Sequence, residues 1–180
     1  MANHLKGAVL CFALAMPLVS SPFSDTQKKK PAHPAPIPAQ ILTAKKVFIA
    51  NGGGDESRYE AGSYTGGPDR AYNEFYAAME TWGRYELVAA PADADLIFEI
   101  RLTIFQIQRE HVLSDDDPAT DSQLRVVIRD PKTHETLWGL TEHAQGAVLQ
   151  SNRDKNFEQA MAALVAEVHR IAGPPAPAKN

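Results

Sequence analysis

The sequence predicts an α+β fold, a two-layer α/β sandwich in which a mixed, mostly antiparallel sheet of about five strands carries two helices on one face. Three observations predict it. Short runs alternate apolar and polar residues, as strands with one buried face do. Two longer segments repeat apolar residues at steps of three and four, as amphipathic helices do. The elements follow the order β-α-β-β-β-β-α. Because every strand and helix has one apolar side, the helices can cover the apolar face of the sheet.

The first strand is predicted at residues 45–51, where KKVFIAN is rich in β-branched and aromatic side chains. A glycine-rich loop follows and ends at Pro68, which suits the first turn of a helix. The helix is predicted at residues 68–82, and Gly83 ends it. Its apolar residues recur along one face: Ala71, Tyr72, Phe75, Tyr76, Met79 and Trp82.

Residues 84–89 form the second predicted strand, and a turn leads into the third, residues 96–104, which has the clearest alternation in the chain. Its apolar residues are Leu96, Phe98, Ile100, Leu102 and Ile104. Its polar residues, Glu99, Arg101 and Thr103, are expected on the solvent face. Apolar residues then occur at Phe105 and Ile107, which predicts a bulge or twist near Phe105.

The fourth strand follows a polar loop at residues 114–121, and its apolar residues alternate with Arg125 and Arg129. These apolar residues are Leu124, Val126 and Ile128. The fifth strand is predicted at residues 136–147, with Trp138, Leu140 and Ala144 on one side. The last helix is predicted at residues 154–172, after Ser151 and Asp154 at capping-box spacing. Its apolar stripe is Phe157, Met161, Leu164, Val165, Val168 and Ile171.

The first twenty residues have the pattern of a signal peptide. Lys6 precedes an apolar run at residues 7–19, which is too short to span a bilayer, and Ser20 and Ser21 supply the small residues of a cleavage site. We therefore expect an exported protein, periplasmic or secreted, cleaved near Ser20. Cys11 lies in the apolar run without the small preceding residue of a lipobox, so lipid attachment is not expected.

The remaining segments divide the chain into a linker, one domain and a tail. Residues 21–42 are rich in lysine and proline, and PAHPAPIPAQ predicts an extended, disordered linker. Residues 43–172 form a single predicted α/β domain, and residues 173–180 a disordered tail. The formal net charge is −4, and none of the predicted elements carries a stripe of lysine or arginine, which argues against a nucleic-acid partner.

The motifs ADADLIFEI and VVIRDPKTHETLW, together with the closing amphipathic helix, resemble small α/β domains of the bacterial envelope. The nearest types are uncharacterised periplasmic lipoprotein-like domains. More distantly, the chain is similar to the TolB N-terminal domain and to curli-secretion and penicillin-binding-protein-activator lipoprotein domains. The likeness covers residues 44–172 and implies a non-enzymatic adaptor or protein-binding domain with an envelope protein as partner.

The glycine-rich loop is the candidate binding site, because a strand, a flexible loop and a helix N-terminus can hold an anion or a partner. It lacks the spacing of a P-loop or of a dinucleotide fingerprint, so a mobile surface loop is the other interpretation. Its candidate contact residues are Gly52, Gly53, Gly54, Arg58, Tyr59, Tyr64, Asp69 and Arg70.

The sequence offers no catalytic, cofactor or metal site. Asp115, Asp116, Asp117 and Asp121 lack the spacing of an EF-hand and are expected in a solvated turn, with weak calcium binding as the alternative. The histidines are scattered, and His169 is expected on the outer face of the last helix. No nucleophile motif is present. A small-ligand-binding protein or a hydrolase with an unrecognised site stays open as the alternative function, and oligomeric state stays open too.

Overall fold

The computed structural model describes residues 35–54, 64–106 and 120–174. The helices are α1 (Ala39–Thr43), α2 (Arg70–Trp82) and α3 (Gln150–Ala172), with a 3-10 turn at Pro91–Asp93. The strands are β1 (Lys46–Gly54), β2 (Glu86–Leu87), β3 (Leu96–Gln106), β4 (Thr120–Arg129) and β5 (Thr136–Ala144). The predicted leader and most of the predicted linker and tail lie outside the described residues.

The strands form one mixed sheet in the order β2-β1-β3-β4-β5. β1 pairs in parallel with β2 and with β3, while β3 with β4 and β4 with β5 are antiparallel. The longest pairing joins β3 and β4 from Ile97 opposite Arg129 to Gln106 opposite Thr120. The predicted class, a mixed and mostly antiparallel sheet with helices, is therefore confirmed.

α2 and α3 pack on the same face of the sheet and against each other. The alternating residues of β3 and β4 that were expected in the core are buried there. So is the whole predicted apolar stripe of α3, from Phe157 to Ile171. β5 adds the partly buried Trp138 and Leu140. The other face of the sheet carries no described helix, and its residues on β3 and β4 are polar, charged or partly exposed.

Two predictions about the strands are wrong. β1 continues through Gly52, Gly53 and Gly54, which were expected in a loop. Of the bulge or twist predicted near Phe105, the bulge does not occur, because β3 stays in register with β4 through Phe105 opposite Asp121. Phe105 instead lies on the solvent face with 44% of its surface exposed, so an apolar residue there did not mark a change of side. The irregularity lies in β1, where the pairing with β3 shifts between Asn51 and Gly54.

The end of the predicted linker belongs to the fold. α1 begins after Pro38 and buries Ile41 completely, because this one apolar side chain can reach the core once the proline run stops. Tyr85 donates a hydrogen bond from its hydroxyl to the Ile41 carbonyl at 3.3 Å. Arg84 donates to the carbonyls of Leu42 and Ala44. These bonds stabilise the segment that precedes β1.

α3 begins at Gln150 rather than at Asp154. Leu149 occupies the N-cap position and makes no side-chain cap, so the expected capping box of Ser151 and Asp154 does not form. Arg153 instead donates to the carbonyls of Ala147 and Val148 in the preceding loop. The Asp154 carboxylate is directed to other partners, described below. Of the helices in the described part of the chain, none combines the length and apolarity that a bilayer span requires.

Candidate functional site

The predicted contact residues of the glycine-rich loop that the structure describes are mostly engaged within the fold. Tyr64 is only 6% exposed, and its ring packs on Phe157 with 5.1 Å between centroids. Burial raises the pKa of the Tyr64 hydroxyl, which hydrogen-bonds Ser122. Asp69 accepts a hydrogen bond from the Asn51 amide at 2.8 Å. Arg58 and Tyr59 lie outside the described residues.

Arg70 is the centre of a polar network between the start of α2 and the first turns of α3, here called the Arg70 cluster. It consists of Arg70, Thr65, Glu74, Asp154 and Glu158. The guanidinium donates to Glu74 at 2.6 Å, to Asp154 at 2.7 Å, to Glu158 at 3.5 Å and to the Thr65 carbonyl at 3.1 Å. The Arg70 side chain is 10% exposed, so these are partly desolvated, charge-assisted hydrogen bonds.

Asp154 connects the two sides of this cluster. Its carboxylate accepts the Thr65 backbone N–H at 2.8 Å and the Thr65 hydroxyl at 2.6 Å, besides the bond from Arg70. The hydroxyl of Thr65, followed by its N–H and by the Arg70 guanidinium, lowers the pKa of Asp154. The arrangement ties the segment before α2 to α3.

The Arg70 cluster is unsuited to binding an anion, one of the roles for which Arg70 was a candidate. One guanidinium faces three carboxylates, those of Glu74, Asp154 and Glu158, which leaves a net charge of −2. The guanidinium also lies over the Phe157 ring, 4.4 Å from its centroid. Every guanidinium nitrogen of Arg70 already has a partner. The shallow cleft of about 450 Å³ beside it is therefore acidic, because it is lined by the three carboxylates. The cluster is therefore a structural link between α2 and α3.

A different group of arginines lies on the uncovered face of the sheet. We call it the arginine patch: Arg101 from β3, and Arg125 and Arg129 from β4, with Glu99 beside them. Because β3 and β4 are antiparallel, Arg101 stands directly opposite Arg125. The patch surrounds a groove of about 200 Å³ whose lining also includes Val127 and Thr136.

The charges of the arginine patch are only partly compensated. Arg129 donates to Glu99 at 3.2 Å and to the Thr136 hydroxyl at 3.0 Å. Arg101 donates to the Gly52 carbonyl at 2.9 Å. The Arg125 side chain makes no ion pair or hydrogen bond with the described residues. Three guanidinium groups and one carboxylate give the patch a net charge of +2, in a chain whose formal charge is −4.

Gly52 positions Arg101 in this patch. A Cβ at residue 52 would lie 2.9 Å from the Ile100 carbonyl oxygen and 3.2 Å from the Cβ of Arg101. Only glycine at residue 52 leaves room for the Arg101 side chain to lie against β1 and donate to the carbonyl of residue 52. One residue of the predicted glycine loop therefore belongs to a candidate site, although as part of a strand.

The arginine patch could not be recognised from single elements. The sequence shows Arg125 and Arg129 on one predicted strand and Arg101 on another, each beside polar neighbours. Their proximity depends on the register between β3 and β4, which no local pattern specifies. Chemically, two adjacent and exposed guanidinium groups can bind carboxylates or other small anions through paired N–H donors.

Another cleft, of about 490 Å³, lies between α1, the start of β1 and the β4–β5 turn. Its two carboxylates have structural partners. Asp95 accepts the backbone N–H groups of Lys45 and Lys46, both at 2.9 Å, and these bonds lower its pKa. Asp130 accepts the Gln40 amide at 3.0 Å and the N–H groups that follow it in the turn. Asp95 therefore holds the start of β1, and Asp130 holds the β4–β5 turn and its contact with α1.

The histidines in the described residues also have local partners. His143 bonds Asp121 across the solvent face of the sheet at 2.7 Å. His169 is half-buried rather than on the outer face of α3, because its ring stacks on Trp82 at 3.9 Å, and burial lowers its pKa. Within residues 35–54, 64–106 and 120–174, no three histidine, cysteine or acidic side chains are grouped as a metal site would require.

Comparison with known proteins gives no family. No protein-family model matches the sequence, and no curated protein matches it. Solved structures with a similar fold include a PelC dodecamer from Paraburkholderia phytofirmans, at 14% identity over 78% of this chain and 94% of that chain, with a TM-score of 0.42. XCC0632 from Xanthomonas campestris, of family DUF330, is 14% identical over 76% of this chain and 87% of its own, with a TM-score of 0.43.

A third structure is uncharacterised lipoprotein B from Nitrosomonas europaea. It is 13% identical over 78% of this chain and 90% of that chain, with a TM-score of 0.34. The likeness of this sequence to lipoprotein-like domains, to the TolB N-terminal domain and to curli-secretion proteins therefore stays a prediction. Identities this low, with TM-scores below 0.5, support no inference about activity or partners.

Proposed function

We propose that this chain is an exported, non-enzymatic protein of the cell envelope whose domain binds another protein through the uncovered face of its sheet. The arginine patch carries the proposal. A face that served only as a solvated surface would gain nothing from Arg101 and Arg125 in directly opposite positions, because like charges opposite each other destabilise a sheet.

The composition of this face also suits a protein partner. Around the charged groups lie apolar side chains that are only partly buried, among them Phe48, Ile97 and Val127, and Phe105 is 44% exposed at the end of β3. Protein interfaces combine apolar contact area with arginine and aromatic side chains. The face is formed mainly by β3 and β4, which share the longest pairing in the sheet.

Site-specific crosslinking tests this function. A photoreactive phenylalanine analogue would replace Thr103 or Thr141 on the open face, and Ala163 on the exposed side of α3 as the matched control. In the native host we expect the same crosslinked protein, identified by mass spectrometry, from both open-face positions and not from position 163. Crosslinks from position 163 alone would show that the helical face, not the sheet, binds the partner.

Export is tested separately. The signal pattern at residues 1–20 supports it, and we expect N-terminal sequencing of the mature protein to begin near Ser20. A chain that retains Met1 and stays in the cytoplasm would contradict export, whatever the crosslinking shows.

A further inference from the structure

We propose, resting on the function above, that the arginine patch is a receptor for the carboxylates of an acidic, extended protein segment. Arg101 and Arg125 are its contact residues, and Arg129 and Gly52 are positioning residues. The patch thus specifies the chemistry of the partner as well as the face on which it docks.

Arg101 and Arg125 pair across β3 and β4 and line the same groove, so a carboxylate bound in that groove can contact both side chains. Directly opposite residues on antiparallel strands have Cβ atoms roughly 5 Å apart, and Arg101 and Arg125 are such a pair. Neither has a carboxylate partner among the described residues. A carboxylate in this groove would accept charge-assisted hydrogen bonds from both side chains and would offset the repulsion between their like charges.

The surrounding bonds prepare the patch for this contact. The bond from Arg101 to the Gly52 carbonyl holds the first guanidinium over β1. Arg129 is held by Glu99 and Thr136, on the other side of the groove. Side chains that are already ordered lose less conformational freedom on binding, which favours affinity.

The same observations favour a peptide over a polyanion. Nucleic acids and anionic polysaccharides bind through many phosphates or sulfates, whereas this patch offers a net charge of only +2 within a chain of −4. Glu99 would repel a second close anion. The groove of about 200 Å³ accommodates one or two side chains, and Val127 adds an apolar wall that methylene groups of glutamate can cover.

Fluorescence anisotropy with two labelled peptides tests the proposal on the full mature chain. The probes are a decapeptide of alternating Glu and Thr and its isosteric counterpart of alternating Gln and Thr. We expect the Glu peptide to bind at least about tenfold more tightly than the Gln peptide, and its affinity to fall as NaCl is raised from 50 to about 300 mM, since exposed charge contacts are screened by salt.

Arginine variants then locate the site. Arg125→Gln and Arg101→Gln should each weaken the Glu peptide about fivefold or more, since each removes a charge-assisted contact. Arg125→Lys should weaken it less, because it keeps the charge and loses the two-pronged donor. Arg170→Gln is the matched control, since Arg170 is exposed on α3 and pairs with Glu167. It should leave the affinity unchanged.

Four results would overturn the inference: no binding of the Glu peptide, equal binding of the two peptides, equal loss with Arg170→Gln, or tighter binding of a single-stranded oligonucleotide through the same arginines. Binding seen only after Asp115, Asp116 and Asp117 are replaced by Asn would also overturn it, since the chain's own acidic run would then be the occupant. The crosslinking experiment separates this inference from the proposed function. If the photoreactive residue at position 103 still captures the same protein in the double variant Arg101→Gln/Arg125→Gln, the proposed function stands and carboxylate recognition is rejected.

Discussion

The Arg70 cluster and the arginine patch use the same side chain in opposite ways. Arg70 is nearly buried and bonds three carboxylates and a carbonyl, so its charge is more than cancelled. Arg125 is exposed and faces Arg101, so its charge is not cancelled by its described neighbours. The difference shows that compensation, not residue type, separates a structural arginine from a candidate binding arginine. The predictions below test that separation.

The largest effect is expected from Arg70→Ala. The substitution leaves Asp154 and Glu74 as partly desolvated carboxylates without their common partner, and breaking such a pair from one side is costly. We expect the free energy of unfolding to fall by about 3 kcal/mol, measured by urea denaturation, with no change in the affinity of the folded protein for the Glu peptide.

Arg170→Ala is the control for that measurement, because this exposed arginine has only Glu167 as partner. It should leave the urea midpoint unchanged. A loss with Arg70→Ala no larger than with Arg170→Ala would mean that the cluster contributes little, and the contrast with the arginine patch would fail.

A smaller effect is expected at the glycine that joins the sheet to the patch. Gly52→Ala forces its new Cβ against the Ile100 carbonyl and the Arg101 side chain, so we expect a loss of about 1–2 kcal/mol in the free energy of unfolding. Gly139→Ala on β5 is the matched control, because nothing lies within 4 Å of its Cβ position. It should gain about 0.5 kcal/mol.

The two glycine variants also differ in binding. Gly52→Ala should weaken the Glu peptide, since it displaces Arg101, whereas Gly139→Ala should not. Similar thermal-unfolding midpoints for the two variants would contradict the close packing at Gly52.

The sequence predicts those features of the fold that depend on residues close together in the chain. Alternation along β3 and the apolar stripe of α3 are local, and each predicted the buried face correctly. α1 was missed because five residues with a single buried side chain, Ile41, give no periodicity. Phe105 misled because apolar residues on the solvent face of a sheet look the same in sequence as core residues.

The candidate site depended on longer-range information. The sequence made Arg70 a candidate contact residue of the glycine-rich loop, but its partners Asp154 and Glu158 lie more than eighty residues away on α3. The arginine patch likewise requires the register between β3 and β4. Gly52 was predicted as a contact residue of a loop, whereas its close approach to Arg101 became visible only from the pairing of β1 with β3.

Acid unfolding offers a third test, on the Arg70 side. A carboxyl with a pKa lowered by folding stabilises the fold above its unfolded-state pKa, roughly 3.9, and this contribution is lost as pH falls through the lower folded pKa. Asp154→Asn removes the titrating group. We therefore expect its free energy of unfolding to decline less steeply than that of the wild type between about pH 5 and pH 2.

The Arg70→Ala background separates the contributions to that slope. There Asp154 has lost one of the groups that lower its pKa, so Asp154→Asn should change the slope less than in the wild type. An identical change in both backgrounds would assign the lowered pKa to the bonds from Thr65 alone.

The smallest effect has the opposite sign and concerns the arginine patch. Arg125→Thr removes one of two like charges in directly opposite positions and introduces a residue with high strand propensity. We expect the free energy of unfolding to rise by a few tenths of a kcal/mol, while the Glu peptide binds at least about fivefold more weakly. Such a gain in stability with a loss of binding is expected where a charge is retained for recognition. A loss of stability would instead place Arg125 with Arg70 as a structural residue, and the contrast between the two arginine groups would then have no physical basis.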